Sequence, residues 1–306
     1  MKKTILITGA NGIVAQKLID KFLINDNYRL ISSTRKITNL IFKNENVEYI
    51  QNDVLLNTDI LKSVDIVINT AFPRTQDINI LYDAVSFFKL LLKKSVDSGV
   101  KGFINISSQS VYGSCRLVPS KELDDLKPED MYAFAKTMTE EIGNCITNNS
   151  STKYTNIRLA SLIGVEYPQR VINKMILFAL KNKSISVQND KNIFGYMHVN
   201  DAVEGIYDFV DVLNISDWKQ TYNLGVDPNY NENLEYIANI IKKLFLEIGI
   251  DIDLDINIKK NPDKFQTMLS DLFYNDVNWR PQISLNDAII QIFQNIINSI
   301  NTNGDK

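Results

Sequence analysis

Histidine, cysteine and long apolar runs are all scarce in this chain. Its 306 residues contain one histidine, His198, and two cysteines, Cys115 and Cys145. Neither cysteine lies in a Cys-x-x-Cys or Cys/His cluster, which excludes a zinc site and a disulfide scaffold; two isolated thiols suit a reducing compartment. No apolar run reaches the ~20 residues needed to cross a bilayer, so a membrane-spanning chain is excluded. The opening MKKTILITGA ends its apolar stretch at Thr8-Gly9, too early for a signal peptide, and a cytoplasmic location is expected. With 33 basic and 36 acidic residues the net charge is -3. No block of one sign is long enough to follow a phosphate backbone, so nucleic acid is excluded as a partner.

What is present is an ordinary globular composition, 44% hydrophobic and 23% charged, at a length that predicts about two domains. From Thr4 to Lys153, short β-branched runs alternate with helical patterns: ILIT (5–8), RLISS (29–33), VEYIQ (47–51), VDIVINTA (64–71) and GFINISS (102–108), with helices expected over 12–24, 79–98 and 131–148. Such alternation gives parallel βαβ units, and strands apolar on both faces must be buried on both. The fold class is therefore α/β, a Rossmann-type doubly wound parallel sheet with a smaller C-terminal α/β lobe. Residues 1–164, with 192–213 contributing, are read as the nucleotide-binding domain and 165–306 mainly as the substrate lobe.

The first strand runs into a helix through Thr8-Gly9-Ala10-Asn11-Gly12-Ile13-Val14-Ala15. Gly9 permits a tight turn and Gly12 a close approach of backbone to a pyrophosphate. Ala15 keeps the helix near the sheet, and the helix N-terminus supplies positive potential. The motif predicts a dinucleotide site at Gly9, Asn11, Gly12 and Ile13, completed by Ala71 at the end of the fourth strand. The second strand ends in Ser32-Ser33-Thr34-Arg35-Lys36, without a carboxylate for a ribose hydroxyl. Ser33, Arg35 and Lys36 suit a 2'-phosphate, so NADP(H) is expected over NAD(H), although the two cations could also be a solvated loop. Asp53-Val54 closes the third strand, where Asp53 either contacts adenine or caps the next turn.

Ser108, Tyr132 and Lys136 form the sharpest constellation. Tyr132 and Lys136 are four apart in a helical pattern and rise from one face. A tyrosine titrates near pH ~10, and a nearby ammonium would lower that value. Tyr132 could then exchange a proton with a substrate alcohol or ketone, while Ser108, ending a strand, holds the same oxygen.

With these motifs in order, the chain resembles an extended short-chain dehydrogenase/reductase of the NAD(P)-dependent sugar-nucleotide epimerase, dehydratase and reductase group. TGANGIVA resembles its glycine turn, GVKGFINISSQSVYG its Ser-bearing strand, YAFAK its catalytic helix, IRLASLIG its sixth strand, YMHVNDAVEGI its Val-x-Asp segment and VNWRPQISLNDAI its Trp-x-Pro segment. The resemblance implies that Lys136 also holds the nicotinamide ribose, that His198, Arg158 and Arg280 are structural, and that helices 79–98 and 131–148 pair across a homodimer. It further implies a sugar or nucleotide-sugar substrate.

Several positions depart from the family pattern. Gln109 and Ser110 stand where 4,6-dehydratases of the family carry an acidic pair, so dehydration by that route is not expected. Ser161 and Phe194 replace an Asn and an Arg that grip the nucleotide diphosphate in relatives. Substitutes must come from few cations, since the chain has seven arginines: Arg74, Arg116, Arg170 with Lys174, or Lys259 and Lys260. Arg74, Gln109, Ser110, Ser161 and Arg170 are the expected substrate contacts. The expected activity is reduction of a keto group, such as C4 of a nucleotide-linked sugar. The alternative is a 4-epimerase with a retained cofactor, and a third possibility is a binding protein that senses the nucleotide without turnover.

Overall fold

The computed structural model describes residues 2–114, 116–189, 192–229, 232–258 and 264–304; Cys115, Lys259 and Lys260 lie outside the described residues. In chain order the elements are β1 (Lys3–Thr8), α1 (Ile13–Leu23), β2 (Tyr28–Thr34), β3 (Val47–Gln51), α2 (Asn52–Asn57), β4 (Ile66–Asn69), α3 (Ile78–Asp97), β5 (Gly102–Ser108), α4 (Met131–Thr147) and β6 (Lys153–Leu159). They continue with β7 (Ser161–Ile163), α5 (Val171–Asn182), β8 (Ser184–Asn189), β9 (Asn192–Phe194), β10 (Tyr196–His198), α6 (Val199–Val212) and β11 (Thr221–Leu224). The last are α7 (Leu234–Glu247), β12 (Asp253–Ile258), β13 (Lys264–Gln266), α8 (Asp271–Val277) and α9 (Leu285–Gly304).

Seven strands make one parallel sheet in the order β11-β6-β5-β4-β1-β2-β3. Alternate side chains serve opposite faces. Ile5, Ile7, Ile66, Ile68, Ile104 and Ile106 pack with α1, α6 and α8 on one side. Leu6, Val67 and Phe103 meet Phe88, Leu91 and Leu92 of α3 on the other, with α4 beside them. Both faces are covered, as the near-continuous apolar strands require. The order reverses between β1 and β4, whose carboxyl ends therefore open a crevice.

The interior of the sheet also carries a polar line. Thr8, Asn69, Asn105 and Asn156 are register partners on neighbouring strands and are all buried. Thr8 Oγ1 donates to Asn69 Oδ1 at 2.8 Å, and Asn105 Nδ2 donates to Asn156 Oδ1 at 3.0 Å. Side-chain partners of this kind offset the cost of burying amides in a sheet.

The smaller body is built from α5, α7 and α9 packed on β8 and β12, with Ile176, Val187, Ile241, Phe245, Ile289 and Phe293 at its centre. Asp201 ties it to the sheet: its carboxylate accepts from the backbone N–H groups of Gln282 (3.1 Å) and Ile283 (2.9 Å). The sequence places only 192–213 of the C-terminal half with the first domain. The sheet also takes β11, and α8 packs on the same core.

Gly143 in α4 lies against Tyr154, where a Cβ would come within 2.0 Å of the ring. Helix propensity alone favours Gly→Ala by ~0.8–1.0 kcal/mol, whereas overpacking costs about 1–3 kcal/mol. Gly143→Ala is therefore expected to lower the unfolding free energy in urea. A more stable variant would show that α4 does not pack this closely.

Candidate active site

The crevice between β1 and β4 is a cleft of about 560 Å³ lined by Gly9, Asn11, Gly12, Thr34, Arg35, Asn52, Thr70, Ala71 and Phe72 among others. Gly9 has φ +79°, and a Cβ there would stand 3.0 Å from Ala71 Cα, so the two strand ends meet at backbone distance. Gly12 precedes α1 and offers no side-chain cap to its first turn. Those N–H groups face the turn as an anion cradle. Asn11 fastens the turn to the loop after β2: its Nδ2 donates to Asn39 carbonyl (2.8 Å) and its Oδ1 accepts from Ile41 N–H (3.1 Å). Asn52 Oδ1, on the cleft wall, is buried without a partner. A glycine-only approach, uncapped N–H groups and an orphaned amide oxygen together fit a dinucleotide.

The structure does not bring every expected cofactor contact to this cleft. Thr34 lines it in place of Ser33, whose Oγ is buried and unpartnered and whose carbonyl accepts from the Gly9 and Ala10 N–H groups. Lys36 is exposed and begins a short 3-10 turn. Asp53 is exposed in the first turn of α2, with Gln51 Nε2 3.5 Å from its carboxylate, and Val54 is also exposed; Asn52 takes the place on the wall. Ile13 lines a separate cavity with Lys17, Tyr49 and Glu166.

Ser108 ends β5, and Tyr132 and Lys136 rise from the first two turns of α4. That helix starts where Asp130 accepts from the Ala133 N–H at 2.7 Å. The Ser108 hydroxyl accepts from the Ser110 N–H at 3.2 Å and acts on the Tyr132 phenol in the sense that favours its ionised form. Lys136 is 3% exposed; its ammonium donates to the Ile106 carbonyl at 2.7 Å and lies 4.1 Å from the Phe72 ring centroid.

The electrostatics differ from the sequence expectation. Burial pushes the Tyr132 phenol up, and the cations that pull it down are Arg74, then Arg170. Lys136 is turned to the Ile106 carbonyl, with its ammonium 5.9 Å from the centre of the Tyr132 ring. Arg74 stacks at 5.4 Å over that ring, and Arg170 stacks on Tyr167 at 5.7 Å. Burial pushes the Lys136 ammonium down to about 7, against an opposing pull from Glu140.

A second cavity, of about 200 Å³, opens beside the triad and is lined by Arg74, Ser108, Gln109, Ser110, Tyr112 and Ser161, with others. Gln109 Nε2 donates to Ser161 Oγ (3.0 Å) and to the Gln266 carbonyl (3.2 Å). Two carboxylates unforeseen in the sequence, Glu129 and Asp130, also line it. Both are engaged, Glu129 with the Ser114 hydroxyl at 2.5 Å and Asp130 as the α4 cap.

Of the cations considered as substitutes for a diphosphate grip, Arg74 and Arg170 come near Tyr132. Arg116 is held 3.5 Å from Asp124, and Lys174 is exposed on α5. Phe194 stacks on Tyr196. His198 is buried, and its Nδ1 accepts from the Asn200 N–H at the start of α6. Arg158 is buried against Glu140, Arg280 pairs with Asp227, and Cys145 is exposed.

The NAD dependent epimerase/dehydratase family model matches residues 5–225. The chain belongs to that family. It is 29% identical over 230 residues to UDP-glucose 4-epimerase of Vibrio cholerae, covering 69% of this chain and 67% of that one. It is 25% identical over 285 residues to a trifunctional UDP-glucose 4,6-dehydratase/3,5-epimerase/4-keto-L-rhamnose reductase of Arabidopsis thaliana. That match covers 85% of this chain but only 42% of the longer protein. Among solved structures, UDP-N-acetylglucosamine 4-epimerase of Bacillus cereus superposes with a TM-score of 0.78 at 21% identity, covering 97% of both chains. The family and the doubly wound sheet thus agree with the sequence reading.

The buried Lys136 makes stability depend on pH. An unfolded lysine binds its proton below about 10.5, the folded one only below about 7. Between pH 7 and 9 the unfolded chain holds more protons, so this residue makes the fold more stable as pH rises. Urea unfolding at pH 7, 8 and 9 should show that increment in the wild type and its loss in Lys136→Met. Equal slopes would mean that Lys136 is not titrating in the fold.

Proposed function

We propose that the protein is a nucleotide-sugar 4-epimerase. The supporting observation is Ser108 on the wall of a sugar-sized cavity whose two carboxylates are already engaged, with Tyr132 and Lys136 packed on Phe72 of the neighbouring dinucleotide cleft. Inversion at one carbon by oxidation and re-reduction needs a single proton-exchanging group. Elimination needs a further acid, typically contributing about 10² to 10⁴ in rate.

The dinucleotide would lie along Gly9, Asn11, Gly12, Arg35, Asn52 and Ala71. When bound, the nicotinamide supplies the hydride acceptor and donor. Tyr132 takes the proton from the C4 hydroxyl and later returns it, while Ser108 holds that oxygen through both steps. Arg74 and Arg170 hold positive charge near the phenol, and Lys136 adds to it when protonated. Arg74 and Arg170 supply positive charge for the substrate's anionic part, in place of the grip that Ser161 and Phe194 cannot provide.

A second reading, reduction of a 4-keto sugar, is favoured by Arg35. The end of β2 brings no carboxylate to the cleft, and an Arg at its wall suits the 2'-phosphate of a cofactor that binds and leaves as NADPH. NADP(H) preference is part of this proposal, as is a homodimer through α3 and α4. Exposed Ile78, Tyr82 and Leu90 on α3 and Met131, Phe134 and Met138 on α4 support that pairing.

Four measurements check these points. The purified protein is expected to carry bound nucleotide and to invert C4 of a nucleotide hexose, seen by NMR, without net absorbance change at 340 nm. Steady consumption of NADPH on a 4-keto sugar would establish reduction instead. In either case Tyr132→Phe should abolish turnover and leave cofactor affinity within a few-fold, and substantial residual turnover would remove Tyr132 from its role. NADPH should bind more tightly than NADH by roughly 10- to 150-fold, the worth of a charge-assisted contact of about 1.5–3 kcal/mol. Arg35→Ala should erase most of that gap, and equal wild-type affinities would sink the preference. Sedimentation should give twice the chain mass, and Phe134→Glu should return a monomer; a wild-type monomer rules out the dimer.

A further inference from the structure

Tyr132, Lys136 and Glu140 are successive i, i+4 positions of α4 and lie along one face of the helix. We propose that Glu140 is a positioning residue whose carboxylate, locked one turn beyond Lys136, lets that lysine keep its proton to a higher pH than its burial alone would allow, and so stay charged near Tyr132 over a wider range. The proposal rests on the reading of Lys136 as a member of the reacting group.

The geometry is specific. Lys136 is 3% exposed and Glu140 2%, so neither charge is relieved by water. Among the described residues the Lys136 ammonium touches no carboxylate; its partners are the Ile106 carbonyl and the Phe72 ring. A buried ammonium with only neutral partners tends to shed its proton, and Glu140 is the opposing charge. Glu140 itself cannot swing to form a direct pair. Its Oε1 accepts from Ser107 Oγ (2.5 Å) and Arg158 Nε (3.0 Å), and its Oε2 from Arg158 Nη2 (2.6 Å). These charge-assisted bonds hold the carboxylate in place. It therefore acts on Lys136 by field alone and leaves the ammonium free to engage other groups.

Among the described residues, the ionisable groups on α4 besides Lys136 are Tyr132, Glu140, Glu141 and Cys145, and the elements packed against it bring Lys153, Tyr154 and Arg158 from β6 and Tyr112 from the segment after β5, while Arg74 lies over the Tyr132 ring. On α3, packed against α4, Asp83, Lys89, Lys93, Lys94 and Asp97 are exposed. The network also reaches the sugar cavity. Arg158 Nη1 donates to the Tyr112 hydroxyl at 2.6 Å, and Tyr112 lines that cavity.

The test is a titration that does not require turnover. In the full chain labelled with ¹³C,¹⁵N-lysine, the Lys136 side-chain resonance is identified by its loss in Lys136→Met and followed with pH. Glu140→Gln should move its midpoint at least one pH unit to the acid side. Glu140→Asp should restore most of the wild-type value. Glu140→Gln leaves Arg158 buried without its partner, so Glu140→Gln/Arg158→Met, which removes both charges, provides the second variant and should shift the midpoint in the same direction. Where turnover is measured, Glu140→Gln should lose at least tenfold at pH 8 and remain within a few-fold at pH 6. An unmoved midpoint in the folded double variant, or an activity loss equal at every pH, overturns the proposal. A shifted midpoint with no turnover on any nucleotide sugar would uphold it and defeat the functional reading instead.

Discussion

The guanidinium of Arg158 is buried in β6 against the carboxylate of Glu140 in α4, and through this pair the helix that carries Tyr132 and Lys136 is fixed to the sheet. Removing one partner of a buried ion pair costs about 3–5 kcal/mol, because the other charge is left without compensation. The Arg158 fork also donates to the Tyr112 hydroxyl and to the Glu122 carbonyl, and Tyr112 donates to Asn223 of β11. One side chain thus joins the reacting helix, the cavity wall and the edge of the sheet. A shift of α4 along the sheet would break several charge-assisted bonds at once, so the spacing between Ser108 and Tyr132 is determined largely from behind the site.

The second constraint is the crevice left where strand order reverses. β1 and β4 are paired neighbours whose following connections lead to opposite sides, to β2 and β5, and just past their carboxyl ends Gly9 and Ala71 approach at backbone distance. This leaves backbone N–H groups exposed to a ligand while the apolar layers below exclude water. The same topology puts Ser108 one strand away, at the end of β5, beside the boundary between a polar cleft and a smaller cavity.

Much of this was legible in the sequence because the signals are local. The runs ILIT and GFINISS have the apolar continuity of strands covered on both faces, and the glycine turn and the Tyr132/Lys136 spacing each need only a few consecutive residues. The contributions that stayed hidden are those set by distant partners. Glu140 reads as an ordinary helix acid until Arg158 and Ser107 are brought against it. The choice of Asn52 over Asp53 for the cleft wall depends on how α2 leaves β3, and the cations acting on Tyr132 come from two loops far apart in the chain. β11 is only four residues long and follows a polar stretch, so its place in the sheet depends on the register of β6 and is not marked by periodicity of its own.

The placement of β11 has a consequence for synthesis. All other strands of the main sheet are complete once Leu159 has left the ribosome, but the strand that covers β6 begins at Thr221. During that interval β6 is an open edge with unpaired N–H and C=O groups, beside a Tyr112 hydroxyl that still awaits Asn223, and such edges can pair with other chains. The N-terminal half can therefore assemble early, but its edge is sealed only after the first part of the smaller body has been made.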